Sequence, residues 1–200
     1  MPGQLRVGVL ISGRGSNMVA LAEACAAPDS PARIVVVLSN KADAAGLDFA
    51  RQAGIPTVVI RHGDYPDRGS FERALTAALE DAGVELVCLA GFMRVLTPVF
   101  VDHWQGRTLN VHPSLLPKYP GLDTHARAIA AGDPEAGCTI HIVTREVDGG
   151  PIVVQERVPI LPGDTPDTLA ARVLAAEHRA YPLALFKVAR GRLAGAGQAV

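Results

Sequence analysis

Leu5-Arg6-Val7-Gly8-Val9-Leu10-Ile11-Ser12-Gly13-Arg14-Gly15-Ser16-Asn17 is the stretch whose reading decides the fold. A run of strand length, apolar on both faces, leads into a glycine turn, and helical spacing follows over 18–27. A strand that is apolar on both faces belongs in a parallel sheet covered on both sides. The pattern repeats: strands are expected at 34–39, 56–60 and 86–90. Helices over 42–53 and 71–82 lie between them, closed by Gly54 and Gly83. The first half therefore reads as a doubly wound, Rossmann-like α/β unit.

The second half changes character. An expected strand at 108–112 precedes a stretch carrying Pro113, Pro117 and Pro120. Strands at 138–144 and 152–160 are joined by Asp148-Gly149-Gly150-Pro151, so the mostly parallel sheet gains a mixed C-terminal extension. A closing helix is expected from 165 to about 189 with a kink at Pro182, followed by a loose Gly/Ala-rich tail. No repeat or linker divides the chain. The expectation is one domain over 1–200, with a nucleotide-phosphate half (1–106), a catalytic half (107–193) and a tail (194–200).

With 200 residues, 48% of them hydrophobic, the chain can bury a core without disulfides or metals. Apolar runs such as 34–38 fall far short of the roughly 18 residues a membrane-spanning helix needs. The first residues carry no export signal, so a cytoplasmic protein is expected. Lys and Arg number 19 against 20 Asp and Glu, which argues against a general nucleic-acid binder. Cys25, Cys88 and Cys138 sit among apolar residues and read as buried thiols.

Gly13-Arg14-Gly15-Ser16-Asn17 stands where a strand hands over to a helix, and backbone N–H groups there favour an anion. A dinucleotide fingerprint would want a small residue in place of Met18 and an acidic one near Ser39 and Asn40. A single phosphate on a small nucleotide-like substrate fits better, with a ligand-free tight turn as the alternative.

Further on, Asn110 and His112 are two apart on a strand and share a face, and Pro113 holds His112 extended. A neutral amide donor beside a titratable imidazole suits a tetrahedral intermediate. Asp148 is the natural carboxylate partner, although Asp-Gly is also an ordinary turn dipeptide. His141 could face the same pocket or sit satisfied in the core. The set His112, His141 and Asp148 could hold a metal, but no ligand-spacing motif supports it, and none is expected.

Four segments together resemble a known family in order and spacing, over about 5–193. They are Ser12-Gly13-Arg14-Gly15-Ser16-Asn17, Ala90-Gly91-Phe92-Met93-Arg94, Asn110-Val111-His112-Pro113-Ser114-Leu115-Leu116-Pro117 and Asp148-Gly149-Gly150-Pro151. The family is the folate-using phosphoribosylglycinamide formyltransferases. The resemblance implies that Asn110, His112 and Asp148 form the catalytic trio. It implies that Gly15, Ser16 and Asn17 hold the substrate phosphate and Glu177 the ribose hydroxyls. Met93, Arg94, Val95 and Leu96 would dock the folate pterin beside Asn110. Thr144, Arg145, Glu146, Val147 and Asp148 would be the loop closing over that ring, with Arg68 near the folate's outer end.

The implied reaction passes the formyl group of 10-formyltetrahydrofolate directly to the amine of glycinamide ribonucleotide, in purine biosynthesis. The implied partners are these small molecules, with no metal, nucleic acid or membrane, in a monomer or weak homodimer. Two positions depart from the family: Arg14 stands where some members carry asparagine, and Asp123 where a histidine is often found. The alternatives are a formyltetrahydrofolate hydrolase, another formyltransferase on this scaffold, or a non-catalytic nucleotide-binding module.

Overall fold

Val7, Val9 and Ile11 of the first strand bury into one apolar layer and Leu10 into the other, which places this strand inside the sheet. The computed structural model describes residues 3–196. Its strands are β1 (Leu5–Ile11), β2 (Ala32–Ser39), β3 (Thr57–Val59), β4 (Leu86–Leu89), β5 (Thr108–His112), β6 (Glu135–Ile142) and β7 (Ile152–Pro159). They form one sheet in the order β3-β2-β1-β4-β5-β6-β7. The first five are parallel and the last two antiparallel. This is the expected doubly wound sheet with a mixed C-terminal extension.

Among the described residues six α-helices cover it: α1 (Ser16–Cys25), α2 (Gly46–Gln52), α3 (Arg68–Asp81), α4 (Pro98–His103), α5 (Thr124–Ala130) and α6 (Pro166–Ala196). One layer buries Met18, Leu21, Leu47, Val173 and Leu185, and the opposite one buries Phe71, Leu75, Leu79, Phe100 and Trp104. Each such side chain contributes about 1.5–3 kcal/mol on leaving water. Tyr181 of α6 reaches the sheet and donates its hydroxyl to the Leu89 and Leu109 carbonyls (both 3.1 Å), which ties β4 and β5 to that helix.

Several expected boundaries move. Helix α2 starts at Gly46 rather than 42, and β6 starts at Glu135 and ends at Ile142, leaving Val143 and Thr144 to the following loop. Helix α6 continues through Pro182 and Gly191 to Ala196, so the first three residues of the expected loose tail, 194–196, are helical. The remainder of that tail, 197–200, lies outside the described residues. Helices α4 and α5 have six and seven residues, too short to show a clear 3.6-residue period, and neither was expected.

β1 lies between β2 and β4, so the connections leaving β1 and β4 run in opposite directions. Such a switch point opens a crevice beyond the carboxyl ends of the strands, where open α/β sheets bind ligands.

Candidate active site

The Gly13–Asn17 loop lines one side of that crevice. Gly15 takes φ 70°, a left-handed conformation that costs an L-side chain, and an added Cβ would lie 3.1 Å from the Gly46 Cα. No side chain caps the start of α1 and no acidic residue stands in its first turn. By contrast Asp67 caps α3, accepting from the Ser70 N–H at 2.7 Å. The α1 terminus therefore presents free N–H groups to an anion. Beside it the Asn17 side-chain amide donates to Glu177 of α6 at 2.6 Å, and both residues are buried. Burial pushes the Glu177 carboxyl up, more than the Asn17 hydrogen bond lowers it.

Ser12 ties this loop to the other half of the site. Its hydroxyl donates to Asn40 Oδ1 (2.6 Å) and accepts from the Met93 N–H (2.9 Å).

Asn110 and His112 project from one face of β5, as the alternation required. The antiparallel register sets Asn110 opposite His141 and His112 opposite Thr139, so both histidines join the same face. Asn110 Nδ2 lies 3.2 Å from His141 Nε2. His112 Nε2 donates to the Tyr119 carbonyl at 2.8 Å, an oxygen that can only accept, which leaves Nδ1 as the nitrogen turned to the site. That Nδ1 faces Asp148 Oδ2 at 3.3 Å, while Asp148 Oδ1 stands 3.7 Å from His141 Nε2. The Gly121 N–H donates to Asp148 Oδ2 at 2.9 Å. Burial pushes the Asp148 carboxyl up. The His141 imidazole, the Gly121 N–H and the His112 imidazole together outweigh it and hold the carboxyl below its ordinary range.

Asp148 itself adopts φ 55°, which a short polar side chain tolerates. Gly150 makes the turn possible, because a Cβ there would lie 1.8 Å from the Ile142 carbonyl oxygen.

These groups form the inner end of a cleft of about 640 Å³. Met93, Arg94, Val95 and Leu96 line one wall, and Thr144, Arg145, Glu146, Val147 and Asp148 the other. Its rim is apolar and open: Met93 is 76% exposed and Leu122 83%, a surface suited to a flat organic ligand. Asp123 and His125 also line it. Arg68, at the start of α3, is exposed and does not line the cleft. Among the described residues no group of three or more His, Cys, Asp or Glu side chains is placed to hold a metal ion.

Comparison with known proteins bears on this geometry. The formyl transferase family model matches residues 5–185. The phosphoribosylglycinamide formyltransferase of Escherichia coli (strain K12) is 48% identical over 189 residues, 94% of this chain and 89% of that protein. This chain belongs to the phosphoribosylglycinamide formyltransferase family. The crystal structure of the Brucella melitensis phosphoribosylglycinamide formyltransferase superposes with a TM-score of 0.90 at 53% identity, covering 94% of this chain and 96% of that one. The human trifunctional purine biosynthetic protein adenosine-3 is 50% identical over 186 residues, 93% of this chain. Against the trifunctional relatives the chain spans only 14–19% of their length.

For a formyltransferase of this family, sequence reasoning left out several groups that shape the site. The Tyr119 carbonyl and the Gly121 N–H are backbone atoms without a residue-type signature. They are held by a buried lattice in which Ser114 donates to the Lys118 carbonyl (2.6 Å) and Thr139 to the Ser114 carbonyl (2.7 Å). Gln155 extends it, donating to the Leu116 carbonyl at 2.8 Å. The register of β5 against β6 is the signal that would have placed His141.

Proposed function

We propose that this chain transfers the formyl group of 10-formyltetrahydrofolate to the amine of glycinamide ribonucleotide, giving formylglycinamide ribonucleotide and tetrahydrofolate in purine biosynthesis. One observation carries the reading. Asn110, His112 and Asp148 converge at the junction of an open helix N-terminus, suited to a phosphate, and an apolar cleft, suited to a pterin. The phosphate would rest on Gly15, Ser16 and Asn17, with the ribose hydroxyls on Glu177. The pterin would lie between Met93–Leu96 and Thr144–Asp148.

The nucleotide's neutral amine attacks the formyl carbon, and the carbonyl oxygen becomes an oxyanion. Asn110 Nδ2–H donates to it, and so does His112 Nδ1–H when the imidazole is charged, so that the charge develops against groups already in place. The Asp148 carboxylate stabilises the charged imidazole and accepts the proton shed by the attacking nitrogen. The bond from carbon to N10 then breaks, and N10 leaves as an amine carrying a proton relayed from the site. Overall, one C–N bond replaces another and one proton moves from the substrate amine to N10. Holding both substrates in register supplies much of the acceleration, since effective molarities reach roughly 10⁵–10⁸ M.

The reaction passes a formyl group between two small molecules, and no helix of the described residues is long and apolar enough to cross a membrane. The enzyme would act in the cytoplasm, alone or as a weak dimer. The test is donor consumption with and without glycinamide ribonucleotide. Nucleotide-dependent consumption is expected. Consumption independent of the nucleotide would assign the chain to formyl-folate hydrolysis instead.

A further inference from the structure

Glu72 is 2% exposed, and none of the ion pairs among the described residues includes it. The chemistry proposed above makes no use of it. Its carboxylate accepts the Thr97 backbone N–H at 2.8 Å and, over a short contact, the Thr97 hydroxyl. Thr97 ends the cleft wall Met93–Leu96 and begins α4, capping it through Val99 N–H. At the far end of the same short helix, Asp102 receives a two-pronged hydrogen bond from Arg145, Nε to Oδ1 at 2.7 Å and a second guanidinium nitrogen to Oδ2 at 2.6 Å. Arg145 belongs to the opposite wall. Helix α4 is itself fixed to the core by the buried Phe100 and Val101.

We propose that α4 is a bracket that sets the width of the folate slot, with Glu72, Asp102 and Arg145 as positioning residues. One end of the bracket is buried and holds the pterin wall from beneath. The other is exposed, with side chains 69% and 46% accessible at Arg145 and Asp102, so it is screened by salt and easily released. The loop carrying Asp148 is therefore the movable wall, and its closed position is the one in which the Arg145 fork is made. Among the described residues, Gly13–Asn17 and Glu177 share no hydrogen bond with Glu72, Thr97, Asp102 or Arg145, and the loop reaches the pterin wall through Ser12 at Met93, the end remote from Thr97, so the effect falls on the folate.

This inference rests on the reading that folate fills the cleft. The test titrates an unreactive 10-formylfolate analogue and, separately, glycinamide ribonucleotide against wild type, Asp102→Asn, Arg145→Gln, Glu72→Gln and the charge-reversed pair Asp102→Arg/Arg145→Asp. Each exposed-end variant is expected to weaken folate binding roughly threefold. Glu72→Gln is expected to weaken it roughly tenfold, through loss of one charge-assisted hydrogen bond. Nucleotide affinity should stay unchanged throughout, and the charge-reversed pair should recover most of the loss. Folate affinities equal to wild type in Asp102→Asn and Arg145→Gln, or a reversed pair as weak as both single losses together, would overturn the bracket while leaving the cleft assignment standing. A wild type that binds the nucleotide but not the folate analogue would overturn the cleft assignment and the bracket with it.

Discussion

Asp148→Asn keeps the side chain's shape and removes its charge, which separates the carboxylate's role in the reaction from its role in the loop. With its carbonyl oxygen in the Oδ2 position, asparagine can still accept the Gly121 N–H that Asp148 receives at 2.9 Å. The loss to folding is then the difference between a charged and a neutral acceptor, about 1 kcal/mol. For a chain of this size that lowers Tm by roughly 2–4 °C. The sign with pH follows from the depressed carboxyl. Its stabilisation is present above the unfolded value of about 3.9 and is lost as pH falls through the folded one, so the two proteins converge in acid.

Turnover behaves differently. Asparagine can neither balance a charged His112 imidazole, whose Nδ1 lies 3.3 Å from the carboxylate, nor accept the substrate proton. Losing a positioned acid–base group costs roughly 10²–10⁴ in kcat, or about 2.7–5.4 kcal/mol of barrier. Initial rates at saturating substrates, beside nucleotide titration and a melt, check both sides. A kcat within tenfold of wild type would refute the proton role, and a melt lowered by more than about 10 °C would make the residue structural instead.

Gly150→Ala should lose turnover as severely as the Asp148 variant and melt lower, because its Cβ would sit 1.8 Å from the Ile142 carbonyl oxygen and push the loop away; normal activity would contradict this. Gly15→Ala strains a residue at φ 70° by about 1–2 kcal/mol, and titration should show weaker nucleotide binding with folate binding intact. Glu177→Gln should raise Tm at neutral pH while weakening the nucleotide. Burial raises the Glu177 carboxyl in the folded state, so the native protein binds the extra proton and stability falls as pH rises above about 4.3. The stability gain of Glu177→Gln should vanish below that pH, and a gain that persisted in acid would contradict the argument.

The strand at 108–112 and the common face of Asn110 and His112 were legible because a two-residue period and a following proline leave little freedom. The glycine loop was legible because its position between a buried strand and a helix carries the physics of anion binding. Helix α4 was not, although Thr97-Pro98 is a helix-start signal, since six residues give no periodicity to read. The closing helix was expected to end near 189 where the sequence turns Gly/Ala-rich, yet α6 continues to Ala196. His141 needed a strand register that no local pattern encodes, and the Tyr119 and Gly121 contacts are made by backbone. Arg68 was assigned to the folate's outer end by resemblance alone; it starts α3, is exposed and is not among the residues lining the cleft.

The measurement closest to the central claim is formyl transfer by His112→Ala, with the affinities for both substrates determined on the same preparation. The account predicts that both substrates still bind and that nucleotide-dependent loss of the formyl donor falls by at least about a hundredfold. Transfer at the wild-type rate would contradict it, because the imidazole between Asp148 and the Tyr119 carbonyl would then be packing rather than chemistry.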